Sequence, residues 1–354
     1  MSKSLKYSVV KQSIMDKIQS GELKPNDKLP SEEEYSETFN VSGITIRKAL
    51  SELANEGYIK RTKRKGTFVN DPVSEESASK LFALVLSAED YFDVSYMKII
   101  KGAQSMAAEY NYSLIVEWTS NNLTQEAETI KKMLDRNIDG FIIYPYDPIK
   151  SKSNYMLIEQ KNIPYVLLDR YNVNHPCYFA GCCNYDGAVL ATNELLQLKH
   201  TKIKFAGYHF FLNSEQERYD GYCSAMRQAG LEVTKDNFLV NIDYDLLKKQ
   251  ILDRDITALF CCNDRLAIKI IQNLTERSVR IPQDVSIIGF DDWDSTHNTS
   301  IGLTTVRQNF NEIGANATHL LMSAIQGKVQ GNNTKLLSGV SLIIRDSIGI
   351  NPYA

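Results

Sequence analysis

Hydrophobic and polar positions in the first sixty residues follow the period of three short helices. A first helix is predicted by apolar residues at helical spacing, namely Tyr7, Val10, Ile14 and Ile18. Ser31 and Glu34 have the spacing of a capping box, which predicts a second helix that runs to about Phe39. Ser42 is a good N-cap for a third helix, whose inward face carries Ile46, Ala49, Leu50 and Leu53.

Polar and basic side chains occupy the other face of the third helix and the segment that follows it. Thr45, Arg47 and Lys48 lie on that face, and no acidic residue occurs from Gly57 to Val69. The segments 58–60 and 67–69 are predicted to pair as a hairpin with a basic tip. The basic tip has two alternative interpretations. It is either a solvated turn or a site that binds a polyanion such as DNA, whose phosphates the basic side chains neutralise. Phosphate neutralisation supplies most of the affinity of proteins for DNA.

The run LPSEEEYSETFNVSGITIRKALSELANEGYIKRTKRKGTFV resembles the winged helix-turn-helix of GntR-family transcription regulators. The resemblance covers about residues 5–70 and implies that Thr45, Arg47 and Lys48 enter the major groove. Many family members carry a basic residue at the position of Gly43, so this chain departs from the pattern there. The full predicted DNA-binding set is Ser31, Ser42, Gly43, Thr45, Arg47, Lys48, Lys63, Arg64, Lys65 and Gly66.

Beyond residue 80, short continuous apolar runs alternate with helical stretches. Residues 71–79 are polar and are predicted to form a linker. The apolar runs suit buried parallel strands, for example at 81–86, 165–168, 258–261 and 285–290. Repeated strand–helix units of this length predict doubly wound, parallel α/β sheets, in which ligands bind at the carboxyl ends of the strands.

The loops that leave those strands carry aromatic residues beside groups able to form paired hydrogen bonds. Trp118, Tyr144 and Trp293 supply rings, while Arg170 and Asp291 supply polar groups. Such a combination suits a polyhydroxylated ligand, whose apolar face packs on the rings. The sequence lacks the phosphate-loop, dinucleotide-binding, nucleophile-elbow and H-E-x-x-H motifs. An alternative remains for Asp264, which could simply start a helix.

The runs NIDGFIIYP, IPYVLLDR, ALFCCNDRLAIKIIQ, RIPQDVSIIGFDD and LTTVRQNFNEIG resemble the effector-binding domain of LacI-type repressors. The resemblance covers about residues 80–350. It implies a two-lobed fold of the type I periplasmic-binding-protein kind. In this fold the chain crosses from one lobe to the other three times. The chain is thus expected to have a DNA-binding domain at 1–70 and an effector-binding domain at 80–354. Within the second domain, lobe 1 is expected at about 80–181 and 308–337, and lobe 2 at about 182–307 and 338–354.

The same resemblance implies particular effector contacts. By motif position, Arg218, Asn263 and Asp291 contact the effector, with Arg170 beside them. An aromatic residue after the first strand maps to Tyr91 or Phe92, and the sequence does not choose between them. The full predicted effector set is Tyr91, Phe92, Trp118, Tyr144, Arg170, Arg218, Asn263, Asp291 and Trp293.

A GntR-type domain followed by a LacI-type domain resembles the arabinose-operon repressors of Gram-positive bacteria. The pairing implies a sequence-specific regulator, a repressor of sugar-utilisation genes that is controlled by arabinose or a related sugar. The expected partners are double-stranded operator DNA, the sugar and a second copy of the chain in a homodimer. No cofactor and no enzymatic activity are expected. The alternatives are a sugar-binding transport protein and a sugar-processing enzyme with a fused regulatory domain.

Composition and charge fit a cytoplasmic protein with two kinds of domain. No run among the 354 residues approaches the ~18 apolar residues of a membrane span, and no secretory signal is evident. Residues 1–72 carry a net charge of +3 and the remainder −6, which favours a nucleic-acid-binding N-terminal domain. The 6 cysteines lack the spacing of a zinc site and are expected to be reduced thiols.

Overall fold

The computed structural model describes most of the chain. The described ranges are 3–62, 66–70, 80–87, 93–208, 212–293, 301–329, 331 and 333–354, so the predicted linker at 71–79 lies outside them. The chain divides into two compact units, Met1–Ser79 and Lys80–Ala354. Within the described ranges, no helix is both long enough and apolar enough to cross a membrane.

The first unit contains the three predicted helices and the hairpin. Its elements are α1 (Lys3–Gln19), α2 (Glu32–Phe39), α3 (Gly43–Asn55), β1 (Ile59–Thr62) and β2 (Gly66–Val69). The two strands pair antiparallel, from Ile59 opposite Val69 to Thr62 opposite Gly66. The helices enclose a core that includes Val10, Ile14, Leu29, Tyr35, Ile46, Leu50 and Leu53. The winged helix-turn-helix prediction is therefore confirmed.

The capping box at the start of α2 is also present. The Ser31 hydroxyl accepts a hydrogen bond from the Glu34 amide at 3.2 Å. In return, the Ser31 amide donates to the Glu34 carboxylate at 2.6 Å. These bonds satisfy amides at the helix start that have no partner within the helix, and so they fix where α2 begins.

One lobe of the second unit is built on a six-stranded parallel sheet. Its strands are β3 (Leu81–Leu86), β4 (Ser113–Trp118), β5 (Gly140–Tyr144), β6 (Tyr165–Leu168), β7 (Tyr178–Cys182) and β13 (Lys335–Ser338). Their order is β13-β7-β6-β5-β3-β4. The helices of this lobe are α4 (Val94–Glu109), α5 (Leu123–Leu134), α6 (Lys152–Glu159) and α11 (Phe310–Ile325). We call this body lobe 1.

The second lobe, lobe 2, has a six-stranded sheet of similar construction. Its strands are β8 (Ile203–Ala206), β9 (Phe238–Leu239), β10 (Ala258–Cys261), β11 (Ser286–Asp291), β12 (Thr304–Gln308) and β14 (Val340–Ile343), in the order β14-β12-β11-β10-β8-β9. Its helices are α7 (Asn184–Gln197), α8 (Asn213–Gln228), α9 (Tyr244–Leu252) and α10 (Asp264–Glu276), with a 3-10 turn at Lys235–Asn237. A parallel sheet was predicted here. Strand β14 pairs antiparallel with β12, so the sheet is mostly but not entirely parallel.

The chain crosses between the lobes after β7, after β12 and after β13, which confirms the three crossings implied by the resemblance. The residues at the crossings correct the expected lobe boundaries by one position. Cys182 and Ser338 pair with each other in the lobe 1 sheet, whereas both were expected in lobe 2. Gln308 pairs with Val340 in the lobe 2 sheet, whereas it was expected in lobe 1. Each residue belongs to the sheet whose hydrogen-bonded ladder it completes.

Helices α4 and α11 cross at two glycines that allow their backbones to touch. A Cβ atom placed on Gly102 would lie 1.8 Å from the carbonyl oxygen of Asn311. A Cβ atom on Gly314 would lie 2.1 Å from the carbonyl oxygen of Ile99. No side chain fits at either position without moving a helix. The crossing thereby holds α11 against lobe 1 after the chain has returned from lobe 2.

We predict that Gly102→Ala destabilises the second unit by about 3 kcal/mol, at the upper end of the cost of overpacking, because backbone atoms must move to admit the methyl group. The measurement is urea unfolding followed by far-ultraviolet circular dichroism. Gly339→Ala is the matched control, since a Cβ atom there meets nothing within 4 Å. Equal unfolding midpoints for the two variants would contradict the close-approach argument.

Candidate functional site

The exposed face of α3 presents the residues that were predicted to contact DNA bases. Arg47 is exposed, and its Nε and Nη2 atoms lie 3.1 Å and 3.0 Å from Oε2 of Glu32 at the start of α2. Arg61 of β1 approaches the other oxygen of the same carboxylate, at 3.6 Å. Glu32 was not among the predicted residues, although it follows Ser31 directly in the run that resembles the GntR family. Its carboxylate links the recognition helix α3 to the wing strand.

Three other predicted residues of the first unit have local partners. The Lys48 ammonium lies 4.1 Å from the centre of the Tyr7 ring on α1. Thr45 is half-buried, and its hydroxyl lies 2.9 Å from the Ser42 hydroxyl. Ser42 occupies the N-cap position of α3, but its side chain makes no capping bond to the backbone. The N-cap prediction for Ser42 is therefore right in position and wrong in mechanism, because its hydroxyl engages Thr45 instead.

Two glycines shape the same surface. Gly43 is exposed, and a Cβ atom there would have only Ser36 Oγ nearby, at 3.8 Å, so the site has room for a side chain. Gly66 has φ of +121°, a conformation that other residues rarely adopt. The predicted residues Lys63, Arg64 and Lys65, which lie before Gly66, fall outside the described residues.

A cavity of about 440 Å³ lies between lobe 1 and lobe 2, with walls from both. Six of the predicted effector residues line it, namely Tyr144, Arg170, Arg218, Asn263, Asp291 and Trp293. Trp118 is not among its lining residues and packs edge-on against Tyr96, which does line it, with ring centres 5.8 Å apart. Trp118 therefore contacts a lining residue, and its contact with the effector stays a prediction. Tyr91 and Phe92 lie outside the described residues.

Arg218 is a buried cation at the floor of the cavity. Its Nε atom donates to Asn184 Oδ1 at 2.8 Å, and Nη1 donates to the carbonyl oxygen of Cys262 at 2.6 Å. Its Nη2 atom lies 3.3 Å from Asp291 Oδ1, and the guanidinium carbon is 3.7 Å from the centre of the Phe290 ring. A guanidinium has five N–H donors, so these three contacts leave at most two for a ligand.

Asp291 ends β11 in a strained conformation, with φ of +123°. Besides Arg218, it receives a hydrogen bond from Gln308 Nε2 at 2.7 Å. Burial raises the pKa of Asp291 to about 6, although Arg218 and Gln308 act to lower it. The carboxylates of Asp169 and Asp93 add to the upward shift. The group is therefore an acceptor whose charge changes within an accessible pH range.

Asp264 is buried behind the cavity and is not among its lining residues. One carboxyl oxygen accepts from the Thr305 hydroxyl at 2.5 Å, and the other accepts from the Trp293 amide at 2.8 Å. Burial and the nearby Asp291 raise the pKa of Asp264 well above its usual range. The residue also begins α10, as one alternative supposed. Its observed contacts fix the loop that carries Trp293.

The lobe 1 wall is built around Asp169 and Arg170, at the end of β6. The Tyr144 hydroxyl donates to Asp169 Oδ2 at 3.0 Å, and the Arg170 guanidinium lies 4.8 Å from the centre of the Tyr144 ring. Arg170 Nε is buried and has no hydrogen-bond partner in the described part of the chain. On the lobe 2 side, Gln308 Oε1 is likewise buried without one. Both atoms are therefore buried polar groups of the cavity wall that are left without a hydrogen bond among the described residues.

An ion pair spans the cavity from one lobe to the other. Arg265, in the first turn of α10, places Nη2 3.4 Å from Oδ2 of Asp93, which caps the N-terminus of α4. The Arg265 guanidinium also lies 5.3 Å from the centre of the Trp293 ring. Asp93, Arg265, Tyr96 and Gln308 all line the cavity and were absent from the predicted set. Gln308 lies in the run LTTVRQNFNEIG and ends strand β12, where ligands of such sheets bind.

The thiols and acids of the described residues do not form a metal centre. No group of three or more His, Cys, Asp or Glu side chains in these ranges is arranged to hold a metal ion. The 6 cysteines are free, and only Cys183 is not buried. Burial raises the pKa values of Cys182, Cys261 and Cys262, so these thiols are poor nucleophiles.

Comparisons with known proteins identify the family. Residues 6–69 match the bacterial regulatory proteins of the gntR family, and residues 192–348 match a periplasmic binding protein-like domain. The arabinose metabolism transcriptional repressor of Halalkalibacterium halodurans is 30% identical over 342 residues, covering 91% of this chain and 89% of that protein. The chain belongs to the same family of transcriptional regulators as this repressor. The regulator of the same name from Geobacillus stearothermophilus is 29% identical over 361 residues, covering 97% of each chain.

A solved structure supports the fold of the second unit of this regulator. A regulatory protein of the LacI family from Chloroflexus aggregans has a TM-score of 0.67 and 22% identity, covering 77% of this chain and 99% of the other. The predicted combination of a GntR-type domain with a LacI-type domain is confirmed. The protein is a DNA-binding transcription regulator with an effector-type second unit.

Proposed function

We propose that this regulator represses sugar-utilisation genes and that arabinose or a related uncharged sugar, bound in the cavity between the lobes, controls its affinity for operator DNA. The two relatives named above are repressors of arabinose metabolism, which supports the sugar class. The single observation that carries the proposal is the balance of charge in the cavity.

Each arginine among the described lining residues has a carboxylate beside it. The closest nitrogen–oxygen distances are 3.7 Å for Arg170 and Asp169, 3.3 Å for Arg218 and Asp291, and 3.4 Å for Arg265 and Asp93. A phosphate or carboxylate ligand would place a further negative charge beside these acids. A neutral sugar needs hydrogen bonds alone, for which the lining offers polar side chains such as Asn263 and Arg170. The rings of Tyr96 and Tyr144 provide an apolar wall for the sugar ring.

In the first unit, we assign base reading to Arg47 and additional major-groove contacts to Thr45 and Lys48. An arginine can donate to O6 and N7 of guanine together, which makes Arg47 the best candidate for specificity. Ser31, Ser42 and the wing residues are proposed to contact phosphates. Gly43 contributes no charge, so affinity depends more on the wing.

A homodimer is part of the proposal. A single winged domain reads one half-site, so a two-fold dimer on a palindromic operator is expected. Helix α4 is our candidate for the dimer contact, and its Met97 side chain is 53% exposed. If the sugar weakens operator binding, linkage requires that operator-bound protein binds the sugar less tightly by the same factor.

The two alternative functions receive less support. Asp264, which might have served as a general acid, has both carboxyl oxygens engaged and is absent from the cavity lining. Asp291 is held by Arg218 and Gln308, so no free pair of carboxyl groups faces the cavity in the described residues. We therefore propose no catalytic activity and no cofactor. The GntR-type domain argues against a transport protein.

Arg47 carries the proposed base contact of the first unit. Arg47→Ala should cost about 1–3 kcal/mol on the preferred duplex and relax base preference at one position, because the paired contact to guanine is lost.

The changes Lys63→Ala, Arg64→Ala and Lys65→Ala together should weaken binding to every sequence and flatten the salt dependence. Gel shifts on specific and scrambled duplexes at several salt concentrations measure both effects. Unchanged binding in both variants would remove the DNA assignment.

Gly43 allows a gain-of-affinity prediction. Gly43→Arg should strengthen binding to all duplexes and steepen the slope of log affinity against log salt by about 1, because one more phosphate is neutralised. The open space around Gly43 admits the side chain. Gly43→Ala is the control for helix propensity without charge, and its salt slope should equal that of the wild type. Equal slopes for the arginine and alanine variants would refute the phosphate contact.

A thermal-shift screen tests the sugar. L-arabinose, other pentoses and hexoses, and their phosphates should be compared, since a specific ligand raises the melting temperature by mass action. We expect an unphosphorylated sugar to give the largest shift and the phosphates to give none. A larger shift with a sugar phosphate would overturn the charge-balance argument.

The affinity for that sugar should depend on pH through Asp291. The ionised carboxylate offers acceptors on both oxygens, whereas protonation turns one oxygen into a donor and weakens the ion pair with Arg218; the pKa of Asp291 is raised to about 6. Lowering the pH from 7.5 to 5 should therefore weaken binding about tenfold, and the loss should begin near pH 6. Calorimetric titration measures the effect. Asp291→Asn should bind weakly at both pH values, and a wild-type affinity that is the same at both would contradict the role of Asp291.

A further inference from the structure

A chain of hydrogen bonds leads from the buried Arg218 in lobe 2 to a tyrosine in lobe 1. Asn184 Oδ1 accepts from Arg218 Nε at 2.8 Å, and Asn184 Nδ2 donates to Glu217 Oε2 at 3.0 Å. The other oxygen of Glu217 accepts from the Tyr171 hydroxyl at 3.1 Å. Asn184 is buried, and both Tyr171 and Glu217 are half-buried. Three hydrogen bonds in series thus connect Arg218 to Tyr171.

The amide of Asn184 has only one orientation that satisfies both of its neighbours. Arg218 has no acceptor and must face the amide oxygen, whereas the Glu217 carboxylate has no donor and must face the amide nitrogen. The Cys182 thiol donates to the same amide oxygen at 3.3 Å, so Glu217 and Cys182 favour one orientation of Asn184, and Asn184 in turn holds Nε of Arg218. A change at Glu217 can reach the cavity through Asn184.

Tyr171 belongs firmly to lobe 1. It follows β6, and its ring lies 4.6 Å from the ring centre of Phe179 on β7. The Lys335 ammonium of β13 lies 3.7 Å from the centre of the Tyr171 ring. Its backbone amide also donates across the lobes, to Asn213 Oδ1 at 2.8 Å. Asn213 and Glu217 both lie on α8, so two bonds join this part of lobe 1 to the helix that carries Arg218.

We propose that Glu217 is a positioning residue for the cavity, which ties the placement of Arg218 to the orientation of the two lobes through Tyr171. The proposal rests on the proposed function, because it assigns a regulatory role to the same effector site. When the lobes rotate, the Tyr171–Glu217 bond breaks, and the carboxylate that orients Asn184 loses one of its two partners. Binding at Arg218 and the angle between the lobes are then linked, and linkage acts in both directions.

The chain offers a matched pair of variants for the test. Tyr171→Phe removes only the hydroxyl that crosses the lobes. Tyr165→Phe removes a hydroxyl of the same kind, which donates to Glu159 at 2.8 Å, but both of these residues lie in lobe 1. Glu217→Gln, alone and with Tyr171→Phe, completes a double-mutant cycle. All variants are made in the full chain.

Hydrogen exchange of the free protein tests the connection without any ligand. In Tyr171→Phe, the amides of the first two turns of α8 should exchange about tenfold faster, the usual effect of losing a hydrogen bond to a charged acceptor. In Tyr165→Phe, the exchange of these amides should equal that of the wild type. Equal exchange of these amides in all three proteins would overturn the proposal.

L-arabinose and a duplex selected by the wild-type protein from a random-sequence library test the consequence for regulation. Tyr171→Phe and Glu217→Gln should each weaken L-arabinose binding about fivefold and reduce the factor by which L-arabinose changes duplex affinity. Their double variant should be no weaker than either one, whereas Tyr165→Phe should bind as the wild type does. Strictly additive losses, or losses equal to those of Tyr165→Phe, would also overturn the positioning role.

Failure of this proposal and failure of the proposed function give different results. If the wild-type protein binds the duplex but not L-arabinose, the assignment of arabinose fails, and hydrogen exchange still decides whether Tyr171 and Glu217 connect the lobes. If the wild-type protein binds both and its coupling is unchanged in the variants, the function stands and the positioning role of Glu217 is wrong.

Discussion

The second unit depends on the burial of the Arg218 guanidinium between strand ends and helix α8. A buried cation is tolerated only when its donors are matched by acceptors, since an unpaired charge in the interior costs several kcal/mol. Asn184, the Cys262 carbonyl and Asp291 supply those acceptors from three different segments. Asp291 makes this contact from the end of β11, where its own φ is positive. The same residues that make the cation tolerable also shape the cavity.

The ion pairs of the first unit obey the same electrostatics with a different result, because they are exposed. Glu32 lies within 3.6 Å of Arg61 and 3.0 Å of Arg47, yet water solvates all three groups. Exposed pairs of this kind contribute about 0–1 kcal/mol. DNA phosphates or base edges can therefore replace Glu32 as the partner of Arg47 at little cost. Arg218 keeps its acceptors because it is buried, whereas the exposed Arg47 can exchange Glu32 for a DNA group.

The fold was largely predictable from the sequence, and the cavity was predictable only in part. Helical spacing and the Ser31–Glu34 capping box are local signals, so α1 to α3 lie where they were expected. Strand ends identified Arg170, Asn263 and Asp291, because parallel strands deliver their carboxyl ends to one edge. The pair of Asp93 and Arg265 was missed because it joins two lobes whose relative orientation no local pattern encodes. The contact between Trp118 and Tyr96 could not be foreseen either, since the period of a strand does not reveal which helix side chain packs on it.

The two units use electrostatics in opposite ways, which separates their responses to the solvent. DNA binding gains from the release of counterions and weakens steeply as salt rises. In the cavity, the carboxylates already neutralise the arginines, so a neutral sugar releases no counterions when it binds. In the proposed mechanism, the signal passes between the lobes through bonds such as Tyr171 to Glu217, whose groups are partly buried and little screened. The proposal therefore implies that ionic strength changes the affinity for the operator and leaves the sugar-dependent ratio of affinities nearly constant.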